Sequence, residues 1–217
     1  MSEENNIFDY LLNENEKVTE KQRRIIEAAV EMFAENGYAA TSTNQIAKRA
    51  GVAEGTIFRH YQTKKDLLLN IVSPMMAKII APFVIKDVHK IMDTPYERYE
   101  DFLRAIILNR QEFFKTNINV FKIFIQEIPF HPELKEPFIE HVVKKVSEKF
   151  ALVVQHYQER GQIINLPPKA VIRFTMTVII GYIISQHVIF SEKDGNHEEE
   201  IEQTIQLIMH GLHPKEH

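Results

Sequence analysis

Between Thr19 and Asn36 the apolar residues Ile25, Ala29, Met32 and Phe33 recur at helical spacing, Ile26 and Val30 widen the stripe, and Gly37 follows as a stop. This pattern predicts an amphipathic helix with one buried face. Ser42 and Gln45 then stand at the spacing of a capping box, so a short helix is expected from about Thr43 through Ile46, Ala47 and Ala50. Gly51 supplies the left-handed residue that ends it. A second short helix is expected from about Glu54, with Ile57, Phe58 and Tyr61 inward, and Ala47 is small enough to let the two helices cross closely. The pair reads as a helix-turn-helix. Thr63 and Asp66 repeat the capping spacing, which places Lys64 and Lys65 in the first turn of a third helix. Free amides and the helix dipole favour an anion there, and the two lysines read as a phosphate clamp.

Beyond Leu67 the pattern is helical throughout, without strand signals. Pro74 and Pro82 bracket an apolar segment containing Met75, Met76, Ile79 and Ile80, where a kink is expected. Further helices are expected from Pro95 to about Lys115, from about Asn119 to Ile128, from about Glu133 to Gly161, from Pro167 and Pro168 to Phe190, and, after a KDGN turn, from about His197 to Gly211. The expectation is an all-α chain. Its parts are a flexible acidic leader at 1–16, a helix-turn-helix domain at 17–66, and a larger helical domain at 67–217. The helix over 170–190 is apolar on nearly all sides, more than one buried stripe needs, and Gly181 permits close helix approach.

At Ile46-Ala47, Ala50-Gly51-Val52, Gly55-Thr56-Ile57, His60-Tyr61 and Lys64 through Leu67, the chain resembles the TetR family of bacterial transcriptional repressors. The resemblance is close from Ile25 to Leu69; further on, only length and helical layout match. It implies DNA binding, with the N-terminal half of the second short helix in the major groove and the flanking helix starts on the backbone. The candidate contacts are Thr43, Asn44, Glu54, Gly55, Thr56, Arg59, His60, Thr63 and Lys64. Asn44 suits an adenine edge, Arg59 a guanine, and Glu54 a cytosine amine, while Thr56, His60 and Lys64 suit phosphates. Three residues depart from the family pattern. Ala53 stands where a Ser or Thr cap is common, a loss of about 1 kcal/mol. Phe58 replaces a tyrosine whose hydroxyl meets DNA, and Glu54 replaces a frequent lysine.

The resemblance also implies a small-molecule site in the larger domain and a homodimer built as a four-helix bundle by 170–190 and 197–212. Two recognition helices about one DNA turn apart then require a palindromic operator. Eleven of the 14 phenylalanines lie beyond residue 82. Most belong to core by their spacing, and some are candidates to line an effector cavity. Phe102, Phe113, Phe121, Phe124, Phe138, Tyr157 and Phe174 are the ring candidates, with Arg110, Gln126, His156 and His187 as polar anchors. Such walls suit an apolar or aromatic ligand. The functional expectation is a DNA-binding regulator, a repressor released by that ligand.

Charge changes the picture once it is divided along the chain. The formal net charge is -4, yet residues 1–16 carry five acids and no Lys or Arg, and residues 17–65 carry nine cations against five acids. A basic face therefore sits on the helix-turn-helix segment. Cysteine is absent, which removes disulfide and thiol chemistry. No secretory signal pattern is present and the longest uninterrupted apolar run, Val178 to Ile184, is short for a membrane span, so a soluble cytoplasmic protein is expected. Glycine-rich phosphate loops are lacking, and His210 with His213 has no partner ligands at helical spacing. No enzyme, metal or cofactor is expected. The alternative is a helical ligand-binding or protein-interaction module without specific DNA binding, to which Ala53, Glu54 and Phe58 give its footing.

Overall fold

The computed structural model describes residues 19–74, 86, 89–190 and 197–213, and among these residues every regular element is a helix. In chain order they are α1 (Glu20–Asn36), α2 (Thr43–Ala50), α3 (Glu54–His60), α4 (Lys64–Pro74), α5 (Tyr99–Thr116), α6 (Ile118–Glu127), α7 (Pro132–Phe138), α8 (Lys144–Glu159), α9 (Pro168–Ile184) and α10 (His197–Leu212). Single π-helical turns follow α7, over Ile139–Val143, and α9, over Ser185–Ile189. The acidic leader, the Met75–Pro82 segment and the KDGN turn lie outside the described residues.

Packing divides the chain into two compact units. The first comprises residues up to 83 together with 116–141, and the second 84–115 together with 142–217. In the first, Thr19 caps α1 through a full capping box with Gln22, and Gly37 ends the helix at φ +80. Ile25, Ala29 and Phe33 are fully buried on its inward face. Ser42 and Gln45 form the second box, and Gly51 closes α2 in the left-handed conformation at φ +65, with its amide on the Ala47 and Lys48 carbonyls. Ile46, Ile57, Leu67, Leu68 and Val72 complete this core. The first unit runs past residue 66, because α4 stays buried through Val72 and α6 and α7 return to pack on α1 and α4. Val120, Ile123, Phe124 and Leu134 are the side chains that seal these contacts.

The second unit is built on an aromatic stack. Tyr99 lies 5.7 Å from Phe102 and 5.1 Å from Tyr157, ring centre to ring centre, and Phe102 lies 5.5 Å from Phe150. Gln162 caps the start of α5, accepting from the Tyr99 amide at 2.9 Å and donating to the Glu97 carbonyl at 2.8 Å. The α5 helix therefore starts at Tyr99 and not at Pro95. In α9 the fully buried line is Val171, Thr175, Ile179 and Ile183, one residue per turn. Phe174 and Ile180 remain 39% and 47% exposed, and Leu207 on α10 is 70% exposed. The close approach of α9 to α10 falls at Gly211, where an added Cβ would lie 2.8 Å from the Phe174 ring. At Gly181 a Cβ would meet nothing within 4 Å, so the glycine that permits close packing within the protomer is Gly211. By length and composition Pro168–Ile189 is the described helix that could cross a membrane, a test that core and interface helices also pass.

Candidate nucleic-acid interface

The starts of α2 and α3 form one polar surface because each begins where the chain leaves an extended cap residue. Ser42 bonds the Gln45 amide, so Thr43 and Asn44 occupy the first turn of α2. Ala53 has the backbone conformation of a cap but no side chain to bond the helix amides, and the Thr56 amide reaches its carbonyl at 2.8 Å instead. Ile57 and Tyr61, four residues apart, take the inward face of α3. Phe58 does not join them: it is 47% exposed, because the next helical position points about 100° away from Ile57. Asn44, Gly55, Arg59 and His60 are exposed as well, and Thr43, Glu54 and Thr56 are half-buried.

Glu54 joins the two helix starts. Its carboxylate accepts the Thr43 hydroxyl at 2.7 Å on Oε1 and the Asn44 amide at 3.2 Å on Oε2. The bond from Thr43, then that from Asn44, holds this carboxyl below the usual carboxylate range. The two residues expected to read bases independently are thus bonded to each other.

The phosphate-clamp reading of Lys64 and Lys65 does not survive in this arrangement. Thr63 and Asp66 do cap α4, by reciprocal bonds of 3.0 Å. The Lys64 ammonium, however, donates to the carbonyls of Tyr38 and Thr41 at 2.8 Å each and of Ala39 at 3.3 Å, and lies 4.4 Å from the centre of the Tyr38 ring. An ammonium has three donors, so this set employs all of them. Lys65 pairs with Glu133 on α7 at 2.7 Å, and each partner shifts the other toward its charged form. Tyr38, lodged between Phe33 and His131 at 5.4 and 5.8 Å, anchors the same loop. The chain spacing placed both lysines correctly in the first turn but carried no information about loop carbonyls 23 to 26 residues upstream.

The ligand candidates separate into several settings. Phe102 and Tyr157 belong to the packed stack described above, with the Tyr157 hydroxyl on the Tyr96 carbonyl at 3.0 Å. His156 is exposed, edge-on to Tyr157 at 5.1 Å. Phe113 is buried with the Arg110 guanidinium over its ring at 5.0 Å, and Phe174 lies against Gly211. His187 stacks on Phe114 at 5.9 Å and has a buried Nε2 without a hydrogen bond. Burial, followed by the charges of His197 and Lys115, pushes its imidazole below the ordinary value. In the first unit Phe124 packs on Phe138 at 4.9 Å, Phe121 is half-buried, and Gln126 is exposed beside Gly37. A cleft of about 200 Å³ in that unit is lined by Glu27, Glu31, Asn117 and their neighbours, and by none of the eleven candidates. No pattern in the sequence singles out Tyr99 and Thr175, whose hydroxyls are buried beside each other inside the second unit. Among the described residues no group of three or more His, Asp or Glu is placed to hold a metal ion.

Residues 25–71 match the family model described as bacterial regulatory proteins, tetR family. Over 60 residues, 28% of this chain, the sequence is 45% identical to the fatty acid metabolism regulator protein of Bacillus subtilis, and the match spans 31% of that relative's length. A longer match, 25% identical over 174 residues, covers 75% of this chain and 80% of the HTH-type transcriptional regulator YvkB of the same organism. The solved structure of FadR from Bacillus subtilis, in complex with stearoyl-CoA, has the same fold at a TM-score of 0.62 and 21% identity, covering 88% of this chain and 98% of that one. These likenesses do not favour a helical module without DNA binding. The helix-turn-helix segment is similar, over residues 25–71, to the bacterial regulatory proteins of the tetR family, and over most of its length the chain is similar to an HTH-type transcriptional regulator.

Proposed function

We propose that the protein is a cytoplasmic, homodimeric repressor that binds a palindromic operator and is released by an apolar small molecule. The observation that carries the reading is the division of α3 into a buried anchor, Ile57 with Tyr61, and an outer face of Gly55, Phe58, Arg59 and His60. That face suits the major groove. Asn44 and Arg59 are the base-reading candidates, and Phe58 has the exposed apolar ring that packs on a thymine methyl. Thr56, His60 and Thr63 suit phosphates. Lys64 supports the loop beneath them. The exposed apolar side chains Phe174, Ile180 and Leu207 on α9 and α10 support a homodimer through 170–190 and 197–212, and the open space at Gly181 leaves room for a partner helix. Burying such a face in a partner removes the apolar area that a monomer would expose to water.

For the effector, an apolar acyl chain joined to a polar head is the class to test first, because one relative is a fatty acid metabolism regulator and one structural neighbour was solved with stearoyl-CoA. The ligand must bind the DNA-incompetent state more tightly than the competent one, since equal affinity shifts nothing. The test is selection of bound fragments from the source genome by the purified protein at near-physiological salt. An enriched inverted repeat, released by long-chain acyl thioesters, supports the reading. Binding that falls steeply with salt and shows no preference among sequences sinks it.

A further inference from the structure

We infer that Glu54 is a positioning residue that fixes which end of the Asn44 amide faces DNA, and so sets base choice at one position of each half-site. The inference rests on the DNA-reading proposal above and adds a residue that acts through another. An ionised carboxylate only accepts hydrogen bonds. The nitrogen of the Asn44 amide must therefore turn toward Glu54, where Nδ2 lies 3.2 Å from Oε2, and Oδ1 must point away. One N–H and one carbonyl remain free on an exposed side chain. That donor and acceptor pair complements the N7 and N6 edge of adenine. Without an acceptor-only neighbour the amide would turn over freely and present either polarity.

Thr43 makes the arrangement stiff. Its hydroxyl holds Oε1 at 2.7 Å, so the carboxylate is fixed at both oxygens and cannot follow the amide if it rotates. The two bonds also keep Glu54 ionised, and therefore acceptor-only, through the neutral range. Direct reading of cytosine by Glu54 is the competing role; each oxygen already accepts one bond, so cytosine would have to use a second lone pair on an oxygen held by Thr43 or Asn44. A carboxylate near phosphate also repels DNA of every sequence equally. Glu54 thus lowers general affinity while raising discrimination, as a device for specificity does.

The test uses the full-length protein and its selected operator, with each half-site position varied through all four base pairs. Glu54→Gln keeps the shape but has one acceptor oxygen where the carboxylate has two. Preference at the position lost in Asn44→Ala should fall about fivefold or more, the lower end of what a bidentate base contact contributes. Binding to unrelated DNA should tighten. Glu54→Asp keeps the charge but is too short to reach both partners, so it should lose the same preference without the general tightening. The double variant Glu54→Gln with Asn44→Ala should discriminate no less than Asn44→Ala alone. In the free protein, the Asn44 side-chain amide resonances should shift in Glu54→Gln. Loss of preference at a different base pair, additive with Asn44→Ala, would make Glu54 a direct reader and overturn the inference. Full discrimination in Glu54→Gln, or unmoved Asn44 resonances, would reduce it to a link between helices. A wild-type protein with no preference at any position would instead fail the DNA-reading proposal itself, while the resonances still report on the clamp.

Discussion

Replacing Lys64 with alanine separates a lysine that holds the loop from a lysine that holds DNA. The ammonium donates to three carbonyls of the Tyr38–Thr41 loop, of which those of Tyr38 and Thr41 are part-buried and that of Ala39 is exposed. A hydrogen bond to a charged group contributes about 1.5–3 kcal/mol, and a carbonyl left open to water regains most of its loss. Two bonds counted at the low end, with the exposed one left to solvent, give about 3 kcal/mol, and water reaching the half-buried site reduces this to about 2 kcal/mol. For a chain of this length that corresponds to a fall in Tm of roughly 4–8 °C. Denaturant and thermal unfolding of Lys64→Ala and Lys64→Met should both show it, the latter because the aliphatic stem cannot replace the charge. The dependence of DNA binding on salt should keep its slope. If Lys64→Ala leaves stability within about 0.5 kcal/mol and reduces the salt slope by about 0.9, the value for one phosphate contact, the reasoning is refuted.

Three further outcomes follow from single features. Ala53→Ser places a hydroxyl on a backbone already in cap conformation, so it should stabilise the protein by about 1 kcal/mol in urea unfolding. His187 has its folded value held below the ordinary 6.5, so it binds fewer protons folded than unfolded. Its contribution to stability is complete above about pH 6.5 and declines as pH falls below it, and the difference between wild type and His187→Phe, which keeps the stack on Phe114, should show that decline in pH-dependent unfolding. Ile180→Asp and Leu207→Glu put charge on the exposed apolar faces of α9 and α10 and, if the proposed homodimer forms there, should convert the wild type's dimer mass by light scattering to a monomer's. A dimer persisting in both variants would move the interface elsewhere.

What the sequence makes legible is whatever depends on neighbours three or four residues away. The capping pairs at Ser42 with Gln45 and at Thr63 with Asp66 are local patterns, and so is the glycine at φ +65 that ends α2. The inward face of α3 is less secure, because in a helix of seven residues Ile57 and Tyr61 suffice for the core and Phe58 is left over. Gly181 and Gly211 show the same limit in packing. Both sit on apolar helices, and which one meets a neighbour depends on how α9 and α10 cross, which no spacing along either helix contains.

The charged residues of the head are where local reading fails most, and the reason bears on specificity. A lysine at the start of a helix beside free amides invites an anion, yet Lys64 finds carbonyls brought to it by a loop more than 20 residues upstream. A glutamate at the start of α3 opposes DNA by its charge, yet Glu54 finds a hydroxyl and an amide on α2. In each case a charge-assisted hydrogen bond at 2.7–2.8 Å within the protein outweighs the diffuse field of phosphate that salt screens, attractive for Lys64 and repulsive for Glu54. The consequence for the proposed DNA-reading face is that Lys64 and Lys65 are already engaged within the protein. Such a surface gains less from the phosphate backbone and depends more on the few side chains that meet base edges, so the salt slope of the wild type should be shallow relative to its specificity ratio.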